Sequence, residues 1–300
     1  MGPVQGALSR TVSLWQIVGA YIALTKPRIV LLLLVTAMPA MALAAGGWPE
    51  GGLMASVLLG GALAAGGANA LNCYLERDVD QVMERTQRRP IPAGQVRPGH
   101  ALALGLALGA LGVGVVQVGA GTLPAALVLA SYLFYVVVYT LGLKRATPLN
   151  IVIGGAAGAM PPLIGWTAVR GEMGWPGALM FGIVFLWTPV HFWALSLHYA
   201  ADYRRAGVPM LPVVSGEEKT RLWIALHALA TALVSLALPL VADVGKAYVA
   251  AAVALGGGLV GLALLLWRRP HSLSPLTLFH YSNLYLLCLF VAIGVDALAL

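Results

Sequence analysis

Asn72, Glu76 and Asp80 stand four residues apart in the stretch Asn72-Cys73-Tyr74-Leu75-Glu76-Arg77-Asp78-Val79-Asp80. On a helix that spacing stacks the three side chains along one face. Two of them are anionic and repel one another unless a cation sits among them. Hard oxygen donors of this kind select Mg2+, an ion that keeps several waters and is commonly shared with a substrate phosphate. The segment continues through Arg85, Arg88 and Arg89, whose forked donors suit the oxygens of a diphosphate. A second polar cluster lies further along at His198 and Asp202, again four apart, followed by Tyr203, Arg204 and Arg205. The same residues also suit a plainer role, a solvated, salt-bridged helix end whose arginines anchor the chain. Ionisable groups at the end of an apolar helix are costly to bury, which weighs toward function.

The elements that must position these groups are apolar helices. Hydrophobic residues make up 60% of the 300-residue chain and charged ones 10%, against roughly 25% charged in an ordinary soluble domain. So few charges cannot coat a soluble globule of this size. A bilayer crossing takes about 20 apolar residues, and runs near 20–46, 52–73, 100–119, 123–143, 148–168, 176–198, 221–242, 247–267 and 277–298 predict nine spans. The chain therefore reads as all-α and polytopic, with a cytoplasmic or interfacial N-terminal segment over 1–19 and one membrane domain over 20–300. Proline removes a helix donor, so Lys26-Pro27-Arg28 should kink or tilt the first run after an interfacial start.

With nine spans, sixteen of the eighteen Lys and Arg fall on one side, and only Arg170 and Lys246 on the other. Basic residues mark the cytoplasmic face. The amino terminus and the long connections 74–99 and 199–220 are thus expected in the cytoplasm and the carboxyl terminus outside, in the cell membrane. The formal charge of +7 does not point to nucleic acid, because the basic residues lie in short segments between apolar runs and not on a stripe with interleaved aromatics. Cys73 and Cys288 have no metal-ligand spacing and make no disulfide framework. No small-residue cleavage pattern follows a short apolar core near the start, so no removable signal is expected. Paired glycines such as Gly60-Gly61, Gly66-Gly67 and Gly154-Gly155 read as close helix contacts.

Asn72 through Pro90 resembles the first aspartate-rich motif of the UbiA superfamily of intramembrane prenyltransferases, N-x-x-x-D-x-x-x-D, and the fuller stretch is similar to the branch that farnesylates haem. Thr25–Arg28, Tyr139–Arg145, Thr147–Asn150 leading to Gly158–Trp166, Trp187–Trp193, Asp202–Pro212 and Phe279 with Tyr281, Ser282 and Tyr285 match the same branch in order, so the resemblance spans roughly 20–298. Two positions depart from the superfamily pattern. Glu76 stands where Asp is usual, and His198 where the second motif, D-x-x-x-D, has its first acid.

The resemblance implies a UbiA-like helical bundle in the lipid bilayer that takes farnesyl diphosphate and haem b and makes haem O for haem–copper oxidases, next to a haem-A synthase or oxidase assembly partner. It implies Mg2+ held by Asn72, Glu76, Asp80 and Asp202, with Lys144 and Tyr139 completing the catalytic set. The substrate-binding residues it implies are Lys26, Arg28, Arg77, Asp78, Arg85, Arg88 and Arg89, then Asn150, His191, His198 and Tyr203. Tyr139 could face an allylic cation or serve only as an interfacial tyrosine. His191 and His198 are candidates for haem iron, since neutral imidazole suits it, or are hydrogen-bonding residues of a membrane helix. His100, His227, His271 and His280 lie near helix ends and carry no assignment.

One rival is a relative that prenylates a quinone precursor or another tetrapyrrole, against which Asp202-Tyr203 and Pro209-Met210-Leu211-Pro212 speak. Another, of a different class, is a polytopic transporter, which would show ionisable groups near the bilayer midplane and matched broken helices.

Overall fold

The computed structural model describes residues 13–299; the Arg10 side assignment and most of the 1–19 segment lie outside them. Among the described residues, nine helices are long and apolar enough to cross a membrane. Ahead of them, a capping box between Ser13 and Gln16 starts the short helix α1 (Leu14–Leu24). The spans are α2 (Pro27–Ala45), α3 (Gly51–Leu75), α5 (Pro98–Ala120), α6 (Thr122–Leu133, wound on to Leu143), α7 (Asn150–Arg170), α8 (Trp175–His198), α11 (Glu217–Ala237, continued to Leu240), α12 (Lys246–Arg268) and α13 (Pro275–Ala299). The short helices α4 (Arg77–Val82), α9 (Ala200–Arg205) and α10 (Leu211–Val214) lie in the two long connections.

The expected first run divides in two. Thr25 ends α1, Lys26 takes a left-handed conformation at φ 51°, and Pro27 starts α2. Proline is well placed at a first helical position because its missing donor is not needed there, so the span begins at Pro27. The expected boundary at 19/20 falls inside α1, whose Ala20 and Leu24 bury against Ala70, Cys73, Ile91 and Ala101.

Two rings of helices share α2 and α7: α2, α3, α5, α6 and α7 make one, and α7, α8, α11, α12, α13 and α2 the other. Large apolar side chains such as Leu111, Val118, Leu233 and Val295 remain exposed on the outside, as bilayer solvation requires. The tightest pair is α3 against α5. A Cβ on Gly67 would stand 2.6 Å from the Gly105 carbonyl oxygen, and one on Gly112 at 2.5 Å from that of Gly60. Small residues let backbones meet where apolar association alone gives no drive. At the opposite end from the long connections, buried Asp296 accepts the Tyr248 N–H at 2.7 Å and caps the start of α12.

Each long connection begins the same way. A span runs on past one non-helical residue, Glu76 after α3 and Tyr199 after α8, into a six-residue helix, α4 or α9.

Candidate active site

At Glu76 the backbone departs from helix (φ −99°, ψ 9°), yet the Glu76 N–H donates to Asn72 O at 3.0 Å and the Asp80 N–H to Glu76 O at 2.8 Å. The four-residue repeat of hydrogen bonds thus carries across the break, and Asn72, Glu76 and Asp80 keep one register. All three are 2% exposed. An ion buried alone costs several kcal/mol, so each needs a partner.

The partners are cations drawn from separate elements. Lys144 Nζ lies 2.5 and 2.6 Å from the two Glu76 carboxylate oxygens. Arg89 Nη1 donates to both oxygens of Asp80 at 2.8 Å. Lys26 Nζ donates to Asn72 Oδ1 at 2.8 Å, and Asn72 Nδ2 to Thr140 Oγ1 at 3.2 Å. Burial pushes the Glu76 carboxyl up, but the Lys144 ammonium, aided by Lys26 and Arg89, overrides it and holds the group below the usual range. Burial likewise opposes the charge on Lys144 and Arg89, and the facing Glu76 and Asp80 raise both above their ordinary values. Lys26 has no carboxylate of its own, and burial pulls it down to about 8.

Asp202, on the first turn of α9, is 5% exposed and paired with Arg205 through one oxygen. Its Oδ2 is buried with no hydrogen-bond partner. The two connections interlock here: Arg205 also reaches Glu84 Oε1 at 2.9 Å, and Arg85 donates to the Tyr203 hydroxyl at 3.3 Å while lying 5.6 Å from the Tyr199 ring centre.

Tyr139 is held on a π-helical stretch, Phe134–Leu143, that ends the α6 span; the Lys144 N–H reaches back five residues to Tyr139 O at 2.9 Å. Such bulges gather at functional sites. This one sets Tyr139, Thr140 and Lys144 on the buried cluster, with Lys144 Nζ 5.9 Å from the Tyr139 ring centre. Gly154 leaves room for that ring: a Cβ there would meet two of its carbons at 2.8 and 2.9 Å and a third still closer.

Other expected site residues lie apart. Arg77 donates to Tyr74 O and stacks on the Tyr74 ring, and Asp78 pairs with Arg145 at 2.7 Å. Arg145 lowers Asp78 to about 2. That pair is 44% and 63% exposed and is worth about 1 kcal/mol or less, whereas losing one partner from a buried pair costs about 3–5 kcal/mol. Arg28, Arg88 and His198 are exposed; His198 packs edge-on against Tyr199, off the buried stripe. His191 lies in the core between Trp187 and Phe279, with Nδ1 2.9 Å from Ser282 Oγ. Asn150 is buried at the start of α7, donating to Thr147 O at 2.6 Å, with Oδ1 unpartnered. Thr140 and Arg205 were not foreseen as holding the site. Arg205 stands three after Asp202, a spacing that brings side chains together on a helix, while Thr140 reaches Asn72 only through the π-turn.

Among the described residues, no three His, Cys, Asp or Glu converge as a ready metal cluster, because Glu76, Asp80 and Asp202 are each drawn to a cation. The donors still suit Mg2+, which commonly takes one or two carboxylates plus substrate phosphates, and Asp202 Oδ2 is an oxygen with unused capacity.

Two clefts flank the Asp78–Arg145 pair. One, of about 660 Å3, runs along Arg77, Gln81, Thr140 and Leu141; the other, of about 370 Å3, lies toward Arg205 and Val208.

The model of the UbiA prenyltransferase family matches residues 33–289. The protoheme IX farnesyltransferase 1 of Saccharopolyspora erythraea is 51% identical over 94% of this chain and 90% of its own length. The protoheme IX farnesyltransferase of Clavibacter michiganensis subsp. michiganensis is 50% identical over 93% of this chain and 92% of its own. In fold the chain is similar to a digeranylgeranylglyceryl phosphate synthase (TM-score 0.78, 15% identity, 95% of this chain and all of that one). It is also similar to a UbiA homologue from Archaeoglobus fulgidus bound to GPP and Mg2+ (TM-score 0.70, 17% identity, 94% of this chain and all of that one).

Proposed function

The chain belongs to the UbiA prenyltransferase family, and on that footing we propose that it transfers the farnesyl group of farnesyl diphosphate to a vinyl group of haem b, giving haem O. The half-identity to protoheme IX farnesyltransferases over almost the whole chain carries the choice of substrates. The observation that carries the chemistry is the buried stripe Asn72, Glu76 and Asp80, ringed by Lys26, Arg89 and Lys144 at the membrane boundary.

In this reading the diphosphate head lies among those cations and the farnesyl chain runs between the spans. Lys144, Arg89 and Lys26 donate to the diphosphate oxygens as the allylic C–O bond breaks and the leaving group takes the electron pair. Asn72, Glu76, Asp80 and Asp202 would hold Mg2+, whose positive charge would offset the charge that develops on the leaving diphosphate. The Tyr139 ring faces the allylic cation. A haem vinyl carbon bonds to the farnesyl carbon, water adds at the carbon beside the pyrrole ring and gives up one proton, and a hydroxyethylfarnesyl substituent results. The excess of Lys and Arg on the site's side argues that this face is cytoplasmic in a cell membrane.

The test is mass analysis of haem after incubating detergent-solubilised protein with haem b, farnesyl diphosphate and Mg2+, beside Asp80→Asn. Haem should gain the hydroxyethylfarnesyl group with the wild type and Mg2+ alone. Unchanged haem from folded protein, with prenylation of a quinone precursor in its place, would overturn the choice of acceptor.

A further inference from the structure

The 660 Å3 cleft opens where three span ends meet: Leu75 closes α3, Pro98 opens α5, and Leu141 lies in the last turn of the α6 span. One part of its wall is apolar, made by those residues and Ile91; the other is polar, made by Arg77, Gln81 and the Asp78–Arg145 pair. It also touches Thr140, whose Oγ1 accepts from Asn72 Nδ2 at 3.2 Å. A single side chain therefore separates this cleft from the buried stripe.

We propose that the cleft seats the acceptor, a flat amphiphile with an apolar body and carboxylates along one edge, those carboxylates meeting Arg77 and Arg145 and the opposite edge pointing toward Thr140. The proposal rests on the reading of haem b as acceptor and adds where and in which orientation it binds. The volume falls among those of sites for molecules of this kind. The cleft lies at the ends of three spans, where headgroups would stand beside the polar rim, and Leu141, 56% exposed, adds an apolar wall at the end of the α6 span. An amphiphile arriving from the membrane would keep that same alignment.

The rim is built to take an anion. Arg77 is steadied by its bond to Tyr74 O at 2.7 Å and by the Tyr74 ring 4.8 Å away, which leaves most of its five donors free. Arg145 holds both Asp78 oxygens in an exposed, solvated pair, and a ligand carboxylate would meet the donors that this fork leaves free. Haem b carries both propionates on one edge and its vinyl groups away from them. Propionates at Arg77 and Arg145 therefore send the vinyl edge past Thr140 toward the place where the allylic cation forms.

The experiment titrates haem b and haem b dimethyl ester into detergent-solubilised wild type, Arg77→Gln and Leu141→Trp, following the Soret band, with haem farnesylation assayed on the same samples. The expected result is that Arg77→Gln weakens haem b binding about tenfold, as loss of a charge-assisted contact does. The ester, which loses both carboxylates, should bind wild type at least as weakly and be indifferent to Arg77→Gln, and Leu141→Trp should exclude both while farnesyl diphosphate still binds. Equal affinity of wild type for haem b and its ester would overturn the proposal, as would an Arg77→Gln effect of equal size on both or none on either. In those cases a wild type that farnesylates haem keeps the proposed function and places the acceptor elsewhere. A wild type that farnesylates no haem sinks the acceptor reading, and the cleft assignment with it.

Discussion

Each acid of the stripe is held by a base from a different element, so the resting site is neutralised before any substrate arrives. This makes Lys144 a sharp probe. Lys144→Met leaves Glu76 charged and buried, and thermal unfolding in detergent should show a loss of about 3–5 kcal/mol. The double variant Lys144→Met with Glu76→Gln should lose less than the sum of the two single changes; an additive result would mean the ion pair does not couple them. Neither variant should turn over substrate. Lys26 provides a pH test. Its ammonium is charged below about 8 and neutral above, whereas an ordinary lysine holds its proton to about 10.4. Pyrophosphate affinity should therefore fall as pH rises through about 8. Over the window from about 8 to the ordinary lysine value the unfolded chain binds more protons, so Lys26 makes stability rise with pH there. Lys26→Arg should flatten both slopes, and a wild-type affinity flat through pH 8 would remove Lys26 from the diphosphate site.

Among the elements, the π-helical end of the α6 span does the most to assemble the site, since it turns Tyr139, Thr140 and Lys144 toward α3 together. Gly154 of α7 is the surface this stretch packs on. Gly154→Ala should drive its methyl into the Tyr139 ring, cost about 1–3 kcal/mol through overpacking, and cut turnover. Gly158→Ala, one turn further along with open space at its Cβ, should be neutral or slightly stabilising. Equal effects of the two on turnover and melting would mean the ring position is unimportant. The contrast shows where sequence patterning stops. Runs of apolar residues predict every span to within about four residues apart from the first, because length and hydropathy alone decide what a bilayer accepts. The stripe is equally legible, since residues four apart meet on any helix. The register shift at Phe134–Leu143 leaves no such mark: its residues are as apolar as those before them, and only tertiary packing selects the wider turn. For the same reason Arg77 and Asp78, neighbours of Glu76 in sequence, face away from it, since consecutive helical residues point in different directions.

Across the whole molecule, the two rings place both long connections at one end of the bundle, and the Arg205–Glu84 and Arg85–Tyr203 contacts tie those connections together. The bases that neutralise the site are thus also part of the excess of Lys and Arg at that end of the bundle. The proposed cytoplasmic side rests on unequal loops: of the Lys and Arg, Arg170 and Lys246 alone are expected on the other side. Each basic residue that must cross the membrane adds to the barrier against the inverted topology. Cysteines placed singly at Arg88 and Arg170, both exposed, in a background lacking Cys73 and Cys288, should differ in reaction with a membrane-impermeant maleimide. Arg170→Cys should label in intact cells and Arg88→Cys only after permeabilisation. The reverse pattern would invert the orientation and put the diphosphate site on the side where a soluble cytoplasmic prenyl donor could not reach it. Labelling of both in intact cells would show that an even number of crossings separates 88 from 170, so that one of the three spans between them, α5, α6 or α7, does not traverse the bilayer.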